Sequence, residues 1–388
     1  MSRPPLTILL ASVLKPVDDT RMRGKFAQTL QERPGAEVHI AGRGPVPAAE
    51  ATQTGNKVLS HVIFSGSRLS LQRIGAQLRY VALLRRLQPK LVVVHAPELL
   101  PLTLLWQLLG RDRKFIYDIR ENYALNVSTQ GVYQGLTRRW LAAGLRWVES
   151  LAARRAAAVI LAEESYAAEL PFLLTLPTSR VLVLENKYQP APGEAQSTQA
   201  RPLLPLSEPL RLLYSGTISE LNGVWEAIAL TKSLRAAWPG GARLTIVGFC
   251  QQPALLRALQ ERVAVEGPWL QLIGGAELVP HARIVAEIGR SHLGLLPYRP
   301  HPSTARCRPT KLFEYLAQGL PVLIPPNPLW RALVQQHGAG LEVDFSSPDI
   351  AALAVALTNS NFYPSGPPAE ALWRSEGEKL QRLLDSLV

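Results

Sequence analysis

The segment from Leu296 to Pro321 holds the densest group of side chains able to bind a charged substrate. After Leu296-Pro297-Tyr298 it runs His301-Pro302-Ser303-Thr304-Ala305-Arg306-Cys307-Arg308-Pro309-Thr310-Lys311-Leu312-Phe313-Glu314 and on to Gly319. Pro309 and Thr310 make a helix start and Gly319 a helix stop. A polar loop running into a helix N-terminus suits phosphate or sugar, because the first N–H groups there lack helical partners. Lys311 and Glu314 stand three apart and share one helix face. A carboxylate at that place can accept both hydroxyls of a ribose, and an ammonium can meet a phosphate. The alternative is a surface ion pair between the two, worth about 0.2–0.5 kcal/mol.

Further chemistry sits at other apolar-run ends. Tyr214-Ser215-Gly216-Thr217-Ile218-Ser219-Glu220-Leu221-Asn222-Gly223 is a glycine-containing turn that leads into a helix, and it reads equally as a phosphate loop or an ordinary turn. Val247-Gly248-Phe249 and Ile273-Gly274-Gly275 also place glycine where a flat ring can approach backbone. In the first half, Asp118-Ile119-Arg120-Glu121 closes one apolar run and His95 another; Asp18-Asp19 stands in a loop near the N-terminus. His95 reads equally as a site residue or a core histidine.

These positions need strands to hold them. Short apolar runs at 6–10, 38–40, 58–64, 91–94, 115–117, 158–161 and 181–184 alternate with helical patterns such as 22–31, 71–87 and 137–155. Most are short, β-branched and bounded by Gly, Pro or charge, as buried parallel strands should be. The rhythm breaks over the Pro/Ser/Gln-rich stretch 189–210 and restarts at 212–215, 244–247, 270–273, 293–296, 322–324 and 341–343. The sequence therefore predicts an α/β fold of two doubly wound parallel-sheet, Rossmann-like domains facing across a cleft. The boundaries are 1–188, a linker at 189–210, a second domain at 211–367, and a C-terminal helix at 368–388 that packs back on the first domain.

PTKLFEYLAQGLPVL resembles the donor-binding helix of bacterial GT-B glycosyltransferases of the family-4, or group-1, type. LLYSGTISELNGVWEAI is similar to their first C-terminal-domain loop. VLKPVDDTRMRGKFAQTL, VVVHAPELLPL and FIYDIRENYALNV resemble segments of their acceptor domain. The motifs follow the family's order across nearly the whole chain. The resemblance implies sugar transfer from a UDP- or GDP-linked nucleotide-sugar, with retention, to a sugar or lipid-linked acceptor such as a surface-polysaccharide precursor. It implies that Glu314 holds the ribose and that Ser303, Thr304, Arg308 and Thr310 face donor sugar and phosphates. Gly216, Thr217, Asn222 and Gly248 would line the nucleotide. Asp118, Arg120, Glu121 and Lys311 are the candidates around the reacting centre. No resident cofactor and no metal is expected; the sequence has no Asp-x-Asp.

Three positions depart from the family pattern. Arg306 stands where a first glutamate usually precedes Glu314 by eight. Thr217 and Asn222 stand about where Arg and Lys grip the diphosphate. Arg120 replaces the histidine of an Asp-x-His-Glu motif. Lys311, Arg308 or Arg306 is the candidate replacement for the missing cation. The departures leave open a catalytically reduced binding subunit, and the fold leaves open a nucleotide-sugar epimerase.

Charge and composition limit the remaining classes. The 388 residues are 47% hydrophobic and 19% charged, with a net charge of +12 that rests on 42 basic residues, nine of them lysine. Two cysteines without a CxxC spacing exclude a disulfide framework or zinc site as the organising principle. No helix-turn-helix, zinc or RNA-binding signature accompanies the basic charge, so nucleic acid is not expected. The basic residues concentrate at 68–86 and 137–155. In the second stretch Trp140, Gly144, Trp147 and Leu151 share a face, which either packs on the core or lies on an anionic membrane. The expected placement is cytoplasmic and peripheral on the inner membrane face.

Overall fold

A computed structural model describes residues 6–45, 58–66, 70, 72–125, 135–191, 193–194, 206–301 and 304–387; for 135–138 it describes backbone only. The chain packs as two units, 1–189 with 373–388, and 190–372.

The first unit holds a seven-stranded sheet. Its strands are β1 (Leu6–Pro16), β2 (Ala36–Arg43), β3 (Val58–Phe64), β4 (Leu91–Val94), β5 (Lys114–Ile119), β6 (Ala158–Leu161) and β7 (Val181–Val183). They are all parallel, in the order β3-β2-β1-β4-β5-β6-β7. The six strands of the second unit are β8 (Leu210–Ile218), β9 (Ala242–Cys250), β10 (Leu270–Gly275), β11 (Leu293–Leu295), β12 (Val322–Ile324) and β13 (Gly340–Glu342), in the order β10-β9-β8-β11-β12-β13. Both orders reverse direction after the first strand of the unit. In such sheets ligands bind at the carboxyl ends where the order reverses. Those places are the ends of β1 and β4 in one unit and of β8 and β11 in the other.

The helices in chain order are α1 (Gln28–Gln31), α2 (Gln72–Leu87), α3 (Leu100–Leu108), α4 (Gly135–Arg155), α5 (Tyr166–Glu169), α6 (Val224–Ala237), α7 (Pro253–Glu266), α8 (His281–Arg290), α9 (Thr310–Ala317), α10 (Pro328–Gln336), α11 (Ile350–Asn359) and α12 (Arg374–Leu387). Met22–Ala27 forms a π-type turn ahead of α1, where a continuous α-helix was expected. Two starts show their cause directly. The Asn327 side chain accepts from the N–H groups of Leu329 and Trp330, with Pro328 behind it, and Asp349 accepts from that of Ala352.

The C-terminal helix belongs to the first unit. Trp373, Leu380 and Leu384 join the core formed by Ile8, Phe26, Leu30 and Val93. Trp373 also donates from Nε1 to Thr29 Oγ1 at 2.9 Å. The buried Glu376 carboxylate of α12 meets Lys187 at 2.7 Å. Each fully buried apolar side chain here contributes about 1.5–3 kcal/mol, so α12 is part of the first unit's stability.

In the second unit the strands run past their expected ends. Gly216, Gly248 and Gly274 lie inside β8, β9 and β10, paired in register across the sheet. All three have positive φ, at 91°, 156° and 85°. A Cβ on Gly248 would lie 1.7 Å from the Gly216 carbonyl oxygen. Only glycine keeps these strands paired there, and the row leaves the carboxyl end of the sheet as bare backbone.

Candidate functional site

In the second unit the site is built where β8 and β11 diverge. Gly223, at φ 78°, starts α6 immediately beside the loop that follows β11. A Cβ on Gly223 would lie 1.8 Å from the Pro297 carbonyl oxygen, so the two loops meet backbone to backbone. Tyr298, three residues after β11, packs edge-on against Trp330 of α10 at 5.2 Å.

Lys311 rises from the first turn of α9 into this corner. A Cβ placed on Gly216 would be 3.3 Å from Lys311 Cε and 3.5 Å from Nζ, so the ammonium lies directly against the glycine row. Nζ stands over the rings of Tyr214 at 4.9 Å and Tyr298 at 5.2 Å. Lys311 is only 8% exposed, and among the described residues its Nζ has no hydrogen-bond partner. Burial lowers its pKa to about 8, although the Glu314 charge works the other way. A buried cation held by ring faces alone is poised to receive an anion.

Glu314, one turn further along α9, is 9% exposed. Its Oε1 lies 2.9 Å from His281 Nε2 at the start of α8. The two α9 side chains are therefore buried and not an exposed ion pair with each other. Tyr315 fixes α9 to the sheet through a 2.7 Å hydrogen bond between its hydroxyl and that of Ser215.

The other expected donor-side residues divide. Asn222 donates from Nδ2 to the Thr217 carbonyl at 3.0 Å and from its N–H to Ser219 Oγ at 3.1 Å, so its side chain holds the loop together. Thr217 is exposed, Arg308 and Thr310 are half-buried, and Arg306 is exposed. The Thr304 hydroxyl donates to the His301 carbonyl at 3.2 Å. Gly248 serves strand pairing, as described above. Ser303 lies outside the described residues. His281 was missed by the sequence reading; nothing in its neighbourhood beyond a helix start sets it apart.

In the first unit the expected reacting-centre residues form three ion pairs. Asp118 on β5 is wholly buried. It accepts from Arg21 Nη2 at 2.7 Å and Nε at 2.9 Å, and from His95 Nδ1 at 2.7 Å. Burial alone would raise its pKa, but Arg21 and His95 hold it far below the usual carboxylate range. Arg21 is also wholly buried and donates to the Leu184 carbonyl and Asn186 Oδ1, each at 2.9 Å. Each of these contacts of the Asp118 carboxylate is internal, and it orients Arg21 and His95. Burial lowers the His95 pKa and keeps the imidazole neutral, with its proton on Nδ1 toward Asp118. Among the described residues His95 Nε2 has no hydrogen-bond partner.

Arg120 makes a two-pronged pair with Asp19, Nη1 to Oδ1 at 2.8 Å and Nη2 to Oδ2 at 3.0 Å. Asp19 Oδ1 also accepts from the N–H groups of Arg21 and Met22. Burial opposes ionisation of Asp19, yet Arg120 and the Met22 N–H bring its pKa down to about 2. Glu121 meets Lys15 at 3.1 Å, and this pair alone of the three is substantially open to solvent.

Residues 22–187, all within the first unit, match the family model described as "Glycosyl transferase 4-like domain". Both units together resemble solved structures. Sucrose-phosphate synthase from Thermosynechococcus elongatus is 14% identical, covers 99% of each chain and superposes with a TM-score of 0.66. HepE from Anabaena, in complex with UDP and glucose, is 13% identical over 98% of this chain and 100% of its own, with a TM-score of 0.62. UDP-GlcNAc 2-epimerase from Neisseria meningitidis, bound to UDP-GlcNAc, is 13% identical over 98% and 100%, with a TM-score of 0.58. The fold is GT-B. No curated protein matches the sequence. Lys311 and Glu314 are both buried on α9, three residues apart.

Proposed function

We propose that the protein is a glycosyltransferase that takes a UDP- or GDP-linked sugar as donor. The observation that carries this reading is the Lys311 ammonium, buried without a hydrogen-bond partner beside the bare backbone of Gly216. The bond that breaks in sugar transfer leaves negative charge on a nucleoside diphosphate, and a preorganised cation in a dry site stabilises it. Lys311 fills the role that the first-loop Arg and Lys have in the family. Glu314 offers Oε2 to a ribose while His281 holds Oε1. The glycosyl transferase 4-like match in the first unit supports transfer over epimerisation, although an epimerase shares the fold. Retention at the anomeric carbon follows from the family resemblance, with the leaving phosphate able to take the acceptor proton. The buried Asp118 is then not the base.

A lipid-linked acceptor is the reading that the first unit's surface supports. Among the described residues no helix is long and apolar enough to cross a membrane. Helices α2, α3 and α4 pack side by side over one core cluster. Their outer sides expose Ile74, Leu78, Leu105, Leu108, Trp140 and Trp147, the two tryptophans at 77% and 67%. The alternative that the tryptophans line the core is thereby overturned. Neither α2 nor α3 carries an acidic residue, and Glu149, the one acid on α4, is buried against the Tyr117 hydroxyl at 2.7 Å. Exposed apolar side chains among arginines, without surface carboxylates, fit an anionic lipid face. Arg68 and the side chains of Thr137 and Arg138 lie outside the described residues.

The test of transfer is incubation of the protein with UDP- and GDP-sugars and membrane lipid extract, with products resolved by mass. Wild type forms a glycosylated product and Glu314→Ala does not. A changed sugar on the nucleotide, with no transfer, identifies an epimerase instead. No product and no nucleotide binding sink both readings.

A further inference from the structure

The start of α10 touches the segment before α9 at two points and the Lys311 corner at a third. Asn327 Oδ1 accepts from the N–H groups of Leu329 at 3.0 Å and Trp330 at 3.2 Å. That settles the orientation of its amide, and Nδ2 donates to the Ala305 carbonyl at 3.1 Å. Three positions on, Trp330 Nε1 donates to the Cys307 carbonyl at 2.6 Å. Two carbonyls of the segment that leads into α9 are therefore tied to α10. Trp330 is 1% exposed, so its indole is a fixed part of the second unit.

The same indole stands behind Lys311. It meets the Tyr298 ring edge-on at 5.2 Å and 77°, and the Tyr298 ring faces the Lys311 ammonium at 5.2 Å from its centroid. The backbone beside Tyr298 is held as well, since the Arg299 N–H donates to the Leu221 carbonyl of the loop after β8 at 3.0 Å. Tyr298 is thereby set between the indole and the ammonium. Pro309, at the start of α9, supplies no side-chain cap. The direction in which the first N–H groups of α9 point then depends on how residues 305–309 are held.

Given the nucleotide-sugar reading of this site, on which the inference rests, we propose that Trp330 and Asn327 are positioning residues for its diphosphate. Trp330 holds the Tyr298 ring against Lys311, and both residues hold the segment that aims α9. A cation stabilises leaving-group charge best where it already stands in place, because ordering a mobile side chain opposes binding. Lysine has a flexible four-carbon stem, and among the described residues no hydrogen bond fixes this Nζ. Two ring faces hold it instead. Tyr214 lies inside the paired strand β8; Tyr298 lies in a loop and has Trp330 behind it. Asparagine suits position 327 because an amide accepts and donates at once. Aspartate caps a helix equally well but has no proton for the Ala305 carbonyl. Neither Trp330 nor Asn327 needs to touch the donor; they act through Tyr298, Lys311 and α9.

The experiment is calorimetric titration of the full chain with UDP and GDP at pH 7.5 and pH 9, for wild type, Trp330→Phe, Asn327→Asp and Trp330→Leu. Wild type binds at least one nucleotide. It binds about eightfold more weakly at pH 9, because the charged share of Lys311 falls from about three-quarters to about a tenth around its pKa of about 8. Trp330→Phe and Asn327→Asp each remove one hydrogen bond to the segment before α9. Each weakens binding about 2- to 10-fold and keeps the wild-type fall with pH. Trp330→Leu also removes the ring behind Tyr298. Water then reaches Nζ, and the Lys311 pKa returns toward 10.5. Binding weakens at pH 7.5 by a similar factor, and the fall toward pH 9 shrinks to about twofold or less. Glu314 and Cys307, which also bear on Lys311, are present in all four proteins. All four meet the same nucleotide, so its own ionisation cancels in the comparison. Circular dichroism verifies folding, with Trp330→Met in place of Trp330→Leu if the latter unfolds. Wild-type affinity in both Trp330→Phe and Asn327→Asp overturns the hold on the segment. A wild-type fall with pH in Trp330→Leu overturns the route through Lys311. Wild type that binds neither nucleotide overturns the donor reading, and the positioning role falls with it.

Discussion

Replacing Lys311 by methionine should stabilise the protein while abolishing its affinity for nucleoside diphosphates. The fall in pKa from 10.5 to about 8 means that keeping this ammonium charged inside the fold costs about 3 kcal/mol. Below pH 8 both folded and unfolded chains are protonated there, and the cost is fully present. It fades as pH rises from 8 to 10.5, where the folded chain has released a proton that the unfolded chain still binds. Lys311→Met keeps the stem and removes the cost, so at pH 7 the unfolding midpoint of the second unit should rise by roughly 6–12 °C. Nucleotide binding should show the opposite sign. A diphosphate needs the charged form, whose share falls from about 90% at pH 7 to about 10% at pH 9. Affinity for UDP or GDP should therefore weaken about tenfold over that range in wild type. Lys311→Met should bind weakly throughout and show no such pH trend. Titration calorimetry and thermal melts over pH 7–9 read both effects. Nucleotide affinity that is flat with pH in wild type, or that survives the substitution, refutes the role given to Lys311.

Arg21→Met leaves the Asp118 carboxylate buried without its strongest partner and should destabilise the first unit by about 3–5 kcal/mol. Arg21→Met with Asp118→Asn together should cost much less, as chemical denaturation followed by circular dichroism will show. Gly248→Ala drives a methyl into the Gly216 carbonyl, so it should disturb β8 and β9 and remove the nucleotide-induced rise in melting temperature. Trp140→Ser with Trp147→Ser should leave stability within about 0.5 kcal/mol, since both rings are exposed. The same pair should lower flotation with anionic vesicles; equal recovery of variant and wild type would count against the lipid face.

The sheets were legible because short, uniformly apolar runs such as Leu91–Val94 and Val322–Ile324 have few other places to go in a βα rhythm. Strand ends were less so. Gly216, Gly248 and Gly274 look like turn residues singly, and only their pairing across the sheet extends the strands through them. Helix α11 escaped notice because Ile350–Asn359 is apolar nearly all round and lacks a helical stripe; Asp349 was its one local sign. On α9 the local code sufficed to put Lys311 and Glu314 together. It did not reveal His281, which reaches Glu314 from 33 positions away. Nor did it reveal Arg21, 97 positions upstream, which pairs with Asp118 inside the first unit. Chemistry at a strand end is visible in sequence, but burial depends on partners that arrive from elsewhere in the chain.

The membership of α12 in the first unit has a consequence for synthesis. Residues 190–372 are an insertion within that unit, bracketed by Gln189 and Trp373. A ribosome therefore completes the second unit before it delivers the last sixteen residues of the first. Until Trp373, Leu380 and Leu384 emerge, Phe26, Leu30 and their neighbours wait uncovered, and the amino-terminal half cannot finish folding ahead of the rest. A nascent chain stalled before Trp373 should expose that apolar patch to chaperones, with the later-made unit already folded.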